Sequence, residues 1–117
     1  LEYLEDPDPW ALDLSLEVRR NGEVISRPPF REMYWSPGQQ LAHLTVNGAT
    51  VRGGDLFASG TVSGPDPDTW GSLMELTWNG TRGRFLDDGD TVSITATAPA
   101  VGGGHLGFGE VAGTVVG

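Results

Sequence analysis

The chain has 117 residues and a formal net charge of −9, so it has the size of one domain and a surface that repels polyanions such as nucleic acids. It contains no cysteine and no lysine, which excludes disulfides, thiolate metal sites, cysteine nucleophiles and Schiff-base chemistry. Its apolar runs are too short for a membrane-spanning helix and no charged-then-apolar leader opens it; the reading is a cytoplasmic protein that binds neither nucleic acid nor membrane. The chain opens with Leu1, and Met33 and Met74 are its only methionines, so we expect a piece of a longer reading frame.

In chain order, the first segment, residues 1–10, is acidic and Pro-containing. Residues 11–19 then alternate, with Leu12, Leu14, Leu16 and Val18 on one face and Asp13, Ser15, Glu17 and Arg19 on the other. That pattern predicts a strand with one solvated face. Asn21-Gly22 is a tight-turn dipeptide, and residues 23–26 can return as the hairpin partner. The prolines at 28 and 29 break regular structure. Between Arg31 and Val46 lies the only good helix candidate. Ser36 can cap it, Pro37 suits its first position, Asn47-Gly48 can stop it, and Leu41 and Leu44 can face a core together. From residue 49 onward the chain reads as strands and turns. Strands are expected at 55–63, 73–78, 91–98 and 108–116, separated by Gly, Pro, Asn and Asp. The fold class is mainly β with one helix.

Several motifs fail on context. Gly102-Gly103-Gly104-His105-Leu106-Gly107 has the glycine spacing of a dinucleotide loop, but a strand pattern follows it where a helix is required. Asp87-Asp88-Gly89-Asp90 lacks the distal Glu of a calcium loop and reads as a turn. His43 and His105 have no ligand partner nearby in sequence, and no serine stands in a strand-to-helix elbow.

One constellation remains. In a strand reading, Glu75 leaves the Met74, Leu76, Trp78 face and points either to water or into a polar pocket. Thr61 lies on the polar side of the preceding strand, with Phe57, Ser59 and Ser63. A Pro/Gly-rich loop joins the two, so a hydroxyl and a carboxylate can converge on one site.

Four blocks carry a resemblance: YWSPGQQLAHLTVNG, GDLFASGTVSGPDPDTWGSLMELTWNGT, FLDDGDTVSITA and GFGEVAGTV. In order and spacing they resemble the C-terminal part of the fumarylacetoacetate hydrolase family, from about Tyr34 to Val115. The SGT-x-SGP-x-P…GS-x-x-EL block resembles the true fumarylacetoacetases, whereas GDLFASGT alone marks only the wider superfamily. The resemblance implies that residues 1–117 are the C-terminal portion of a catalytic domain built as a mixed β-sandwich roll. It implies hydrolysis of a carbon–carbon bond in a small β-diketone, fumarylacetoacetate, by a homodimer that uses Ca²⁺ or Mg²⁺. It assigns Glu75 as the catalytic glutamate that orients a histidine base, and Thr61 as a substrate contact. The base, the metal ligands and the remaining substrate contacts have no matching positions in this chain, and His43 matches a position without that role. Two other readings stand beside this one: a non-catalytic β-rich ligand-binding domain, and a hydrolase of a related acylpyruvate or β-diketone.

Overall fold

The computed structural model describes residues Leu1–Gly117 and contains one four-stranded antiparallel sheet, ordered β2-β1-β3-β4. The strands are β1 (Ser15–Arg20), β2 (Glu23–Ser26), β3 (Thr91–Pro99) and β4 (His105–Thr114). The β1–β2 turn is Asn21-Gly22, whose φ angles of 51° and 83° are the two positive values a type I′ turn demands. The β3–β4 hairpin closes through residues 100–104, where Gly102, Gly103 and Gly104 all have positive φ. The glycine run is therefore a hairpin loop between two strands. Thr97 pairs with Gly107 and Thr95 with Glu110, so β4 carries a bulge, and Gly109 takes it at a φ of 81°.

The helix expected between Arg31 and Val46 is present in a shorter form. Phe30–Glu32 makes a 3-10 turn, and α1 spans Pro37–Thr45. Ser36 Oγ accepts the Gln39 N–H while Gln39 Oε1 accepts the Ser36 N–H, a reciprocal box with proline at the first helical position. Leu41 and Leu44 do not reach a core; they are 43% and 47% exposed.

Two strand expectations fail. Residues 55–63 run without a ladder partner, broken by the left-handed Gly54 and Gly60. Leu73–Leu76 is a single helical turn, α2. Ser72 caps it through the Glu75 N–H, and a capped apolar run of four residues closes a turn as readily as it extends. The first strand also starts late, at Ser15, and its start is held to the Pro28–Phe30 segment by the Leu16 N–H on the Pro28 carbonyl and the Phe30 N–H on the Leu14 carbonyl.

No apolar side chain except that of Pro28 is fully buried, and the buried polar set is Ser26, Ser36, Thr77 and Asp90. The nearest approach to a core is where Leu73 and Leu76 of α2 meet Val18, Ile25, Val92 and Ile94 on one face of the sheet.

Candidate functional site

The site is built on the connection between residues 59 and 80, a segment fastened to the sheet at two points. Ser26 Oγ donates to the Trp70 carbonyl at 2.5 Å, and the Arg27 N–H donates to the Asp68 carbonyl at 2.8 Å. Around the Asp68 anchor, Pro67–Thr69 form a 3-10 turn closed by Asp66 and Thr69. The segment leading in and the segment leading out then pass at backbone contact: a Cβ on Gly71 would stand 1.8 Å from the Val62 carbonyl oxygen. Past α2 the chain reverses through Trp78, Asn79 and Gly80, all at positive φ, with Thr77 Oγ1 donating to the Leu73 carbonyl and accepting the Gly80 N–H.

This path presents Glu75 outward. Its Oε2 accepts from Ser63 Oγ and from Ser72 Oγ, each at 2.8 Å. Glu75 and Thr61 line one open depression of about 530 Å³ together with Glu32, Met33, Tyr34, Ser63, Ser72 and Met74. The two residues expected to converge thus line the same depression. Neither stands on a strand: Thr61 lies on an extended segment and Glu75 in a helical turn. On its other side Glu75 borders a second depression with Trp70, Trp78 and Asn79, where the two indoles meet edge to face at 6.1 Å and Arg82 stacks over Trp78.

Neither histidine joins them. His43 hydrogen-bonds Tyr3 through Nδ1 at 3.0 Å and lines a separate depression with Leu1, Leu4 and Trp35, while His105 opens β4. The acidic turn at 87–90 is a clamp behind the site. The Asp90 carboxylate takes both Nε (3.0 Å) and Nη2 of Arg20, the Asp87 N–H (2.9 Å), Asn21 Nδ2 (2.7 Å) and Arg84 Nη1 (2.9 Å). These donors, Arg20 first, hold the Asp90 carboxyl far below the usual carboxylate range, and its hydrogen bond raises the Arg84 guanidinium in turn. Arg20 and Arg84 flank α2 beside Leu73, Leu76 and Thr77, so the clamp backs the helical turn that carries Glu75.

The model of the fumarylacetoacetate (FAA) hydrolase C-terminal family matches residues 2–116. The chain belongs to this family. Among its relatives are fumarylacetoacetases of Arabidopsis thaliana and Homo sapiens, each 42% identical, and of Mus musculus, 43% identical. Each comparison covers 99% of this chain and 31% of the relative. The chain thus spans about a third of the length of the fumarylacetoacetases it matches. The matched stretch takes in residues 2–33, which precede the four sequence blocks that carry the resemblance.

The residues present do not fit a divalent cation: no three His, Asp or Glu side chains gather into a group that could hold one. Three polar lining residues, Ser72, Glu32 and Tyr34, escaped the sequence reading, whereas Ser63 was already placed beside Thr61. Ser72 had a signal in the Ser-x-x-Glu spacing from 72 to 75, which is a helix-cap spacing. Glu32 and Tyr34 had none, since they reach the site only through the turn that precedes α1.

Proposed function

We propose that this chain is the C-terminal portion of a fumarylacetoacetase, a hydrolase that cleaves fumarylacetoacetate to fumarate and acetoacetate at the end of tyrosine and phenylalanine breakdown. The observation that carries the reading is that Glu75 and Thr61, which the resemblance assigns to the family's glutamate and threonine positions, line one depression in a chain matched to the family from residue 2 to 116. In the reaction, water adds to a carbonyl carbon, the carbon–carbon bond breaks, and its electron pair leaves on the acetoacetate carbon. The proton taken from water returns to that carbon. Neutral water needs a base for this, and a histidine from elsewhere in the protein is that base.

Glu75 takes the imidazole N–H on its carboxylate, fixes the ring and stabilises the imidazolium that forms. Thr61 Oγ1 offers the substrate a hydrogen bond. Members of the family depend on a metal; in this reading Ca²⁺ or Mg²⁺ is held beyond these residues, and none of them is assigned to it. The four-stranded sheet, with its exposed edge strand β4, is one part of a mixed β-sandwich roll, and the protein is a cytoplasmic homodimer that engages neither nucleic acid nor membrane. No helix here is long and apolar enough to cross one.

Glu75→Gln in the full-length protein tests the assignment. The change keeps size and loses charge, so kcat for fumarylacetoacetate should fall by about 10²–10⁴ while KM changes little. A variant within about twofold of wild type returns Glu75 to an ordinary solvated role.

A further inference from the structure

Ser63 and Ser72 belong to the sequence block that marks the site, and the reaction described above gives them no part. Their hydrogen bonds have a fixed direction. Each hydroxyl carries a single proton. Ser63 Oγ accepts the Gly71 N–H at 3.0 Å, and Ser72 Oγ accepts the Glu75 N–H at 3.2 Å. Both lie 2.8 Å from Glu75 Oε2, an acceptor, so both protons point at that one oxygen. Oε2 is thereby saturated. Oε1 has no partner anywhere in the chain.

We propose that Ser63 and Ser72 are positioning residues, which hold the Glu75 carboxylate by Oε2 and present Oε1 as its one open acceptor. Taken with the reading of Glu75 above, on which this part rests, the group that meets Oε1 is the imidazole N–H of the histidine base. The device answers a mechanical need. A glutamate on a surface turn is free to change rotamer, whereas an orienting group must be held to within about half an ångström. A glutamate at this helix position normally reaches back to the backbone N–H of the cap residue; Glu75 takes the cap residue's hydroxyl instead. Gly71 makes the convergence of both hydroxyls possible, because any Cβ there would push residues 62–63 away.

The test uses the full-length protein with Ser63→Ala, Ser72→Gly, the pair together, and Ser63→Thr. Glycine keeps most of the preference for a cap position, so Ser72→Gly removes the donor and spares the helical turn. Each single change should lower kcat about tenfold with KM within about twofold, and Ser63→Thr, which retains the hydroxyl, should restore kcat to within about threefold. In a Glu75→Gln background the serine changes should cost nothing more, since they act through Glu75. Unchanged kcat, a loss confined to KM, or losses that multiply with that of Glu75→Gln would overturn the proposal. If the wild-type protein does not cleave fumarylacetoacetate, the reaction assigned to it falls, and a crystal structure of the Ser63→Ala, Ser72→Gly protein decides the positioning role by itself. There the Glu75 carboxylate should leave its wild-type position by more than about 1 Å; a carboxylate that stays in place refutes it.

Discussion

Thr61 and Gly71 stand within reach of one another, yet substitution of each acts on a different quantity. Thr61→Val keeps volume and deletes a hydroxyl on the depression shared with Glu75. A neutral hydrogen bond contributes about 1 kcal/mol, so KM for fumarylacetoacetate should rise roughly fivefold, with kcat falling less. Steady-state kinetics on the full-length variant check this, and a kcat loss larger than the KM rise would remove Thr61 from the substrate's path. Gly71→Ala puts a methyl carbon 1.8 Å from the Val62 carbonyl oxygen, so the crossing of residues 62 and 71 must open. Overpacking of this kind costs about 1–3 kcal/mol, and thermal melts of the full-length variant should show it. Glu75 and Thr61 were legible because the sequence block fixes their spacing. Ser63 and Ser72 were visible as letters of the same block, but the crossing that brings their hydroxyls to one oxygen depends on a close backbone approach that no periodicity encodes.

The elements divide by how local their determinants are. Ser36, Pro37 and Gln39 carry α1 within four residues, and Asn21-Gly22 carries its hairpin within two, so both were readable in advance. Residues 73–76 were not: the choice between strand and helical turn rests on the Ser72 cap and on the sheet face that receives Leu73 and Leu76. Residues 55–63 have the alternation of a strand but no neighbour to pair with, and pairing is a property of the whole sheet. The Asp90 clamp yields a prediction at this scale. Its carboxyl is depressed in the folded protein, so it stabilises the fold at neutral pH, and that contribution is lost as acid carries the pH down through and below the ordinary carboxylate range. Asp90→Asn should therefore melt well below wild type at pH 7, and the gap should narrow steadily towards pH 2. A gap independent of pH would show that the Arg20 pair contributes through packing alone.

Taken whole, the chain is open. It exposes 8362 Å² of surface where a compact monomer of its mass exposes roughly 6,100 Å². Its radius of gyration is 16.6 Å against about 13 Å for a compact chain of this length. All ten residues of β4 are exposed, Leu106, Phe108 and Val111 among them, on an edge strand with one unpaired side. The 117 residues expressed alone should therefore bind hydrophobic dyes and self-associate, whereas a sharp-melting monomer in analytical ultracentrifugation would contradict this. Calorimetry on the same chain should show no stoichiometric micromolar binding of Ca²⁺ or Mg²⁺, because no acidic cluster awaits a cation. The sheet's middle also dictates the order in which it can be made on the ribosome. β1 sits between β2 and β3, and its pairing of Arg20 with Val92 must wait for some seventy further residues to be synthesised. By logarithmic scaling, closing a loop of that length costs about 4 kcal/mol before any ladder bond forms. Until then the nascent β1–β2 hairpin displays an open hydrogen-bonding edge beside Leu16 and Val18, so the growing chain is most in need of a chaperone between the emergence of Ser26 and that of Thr91.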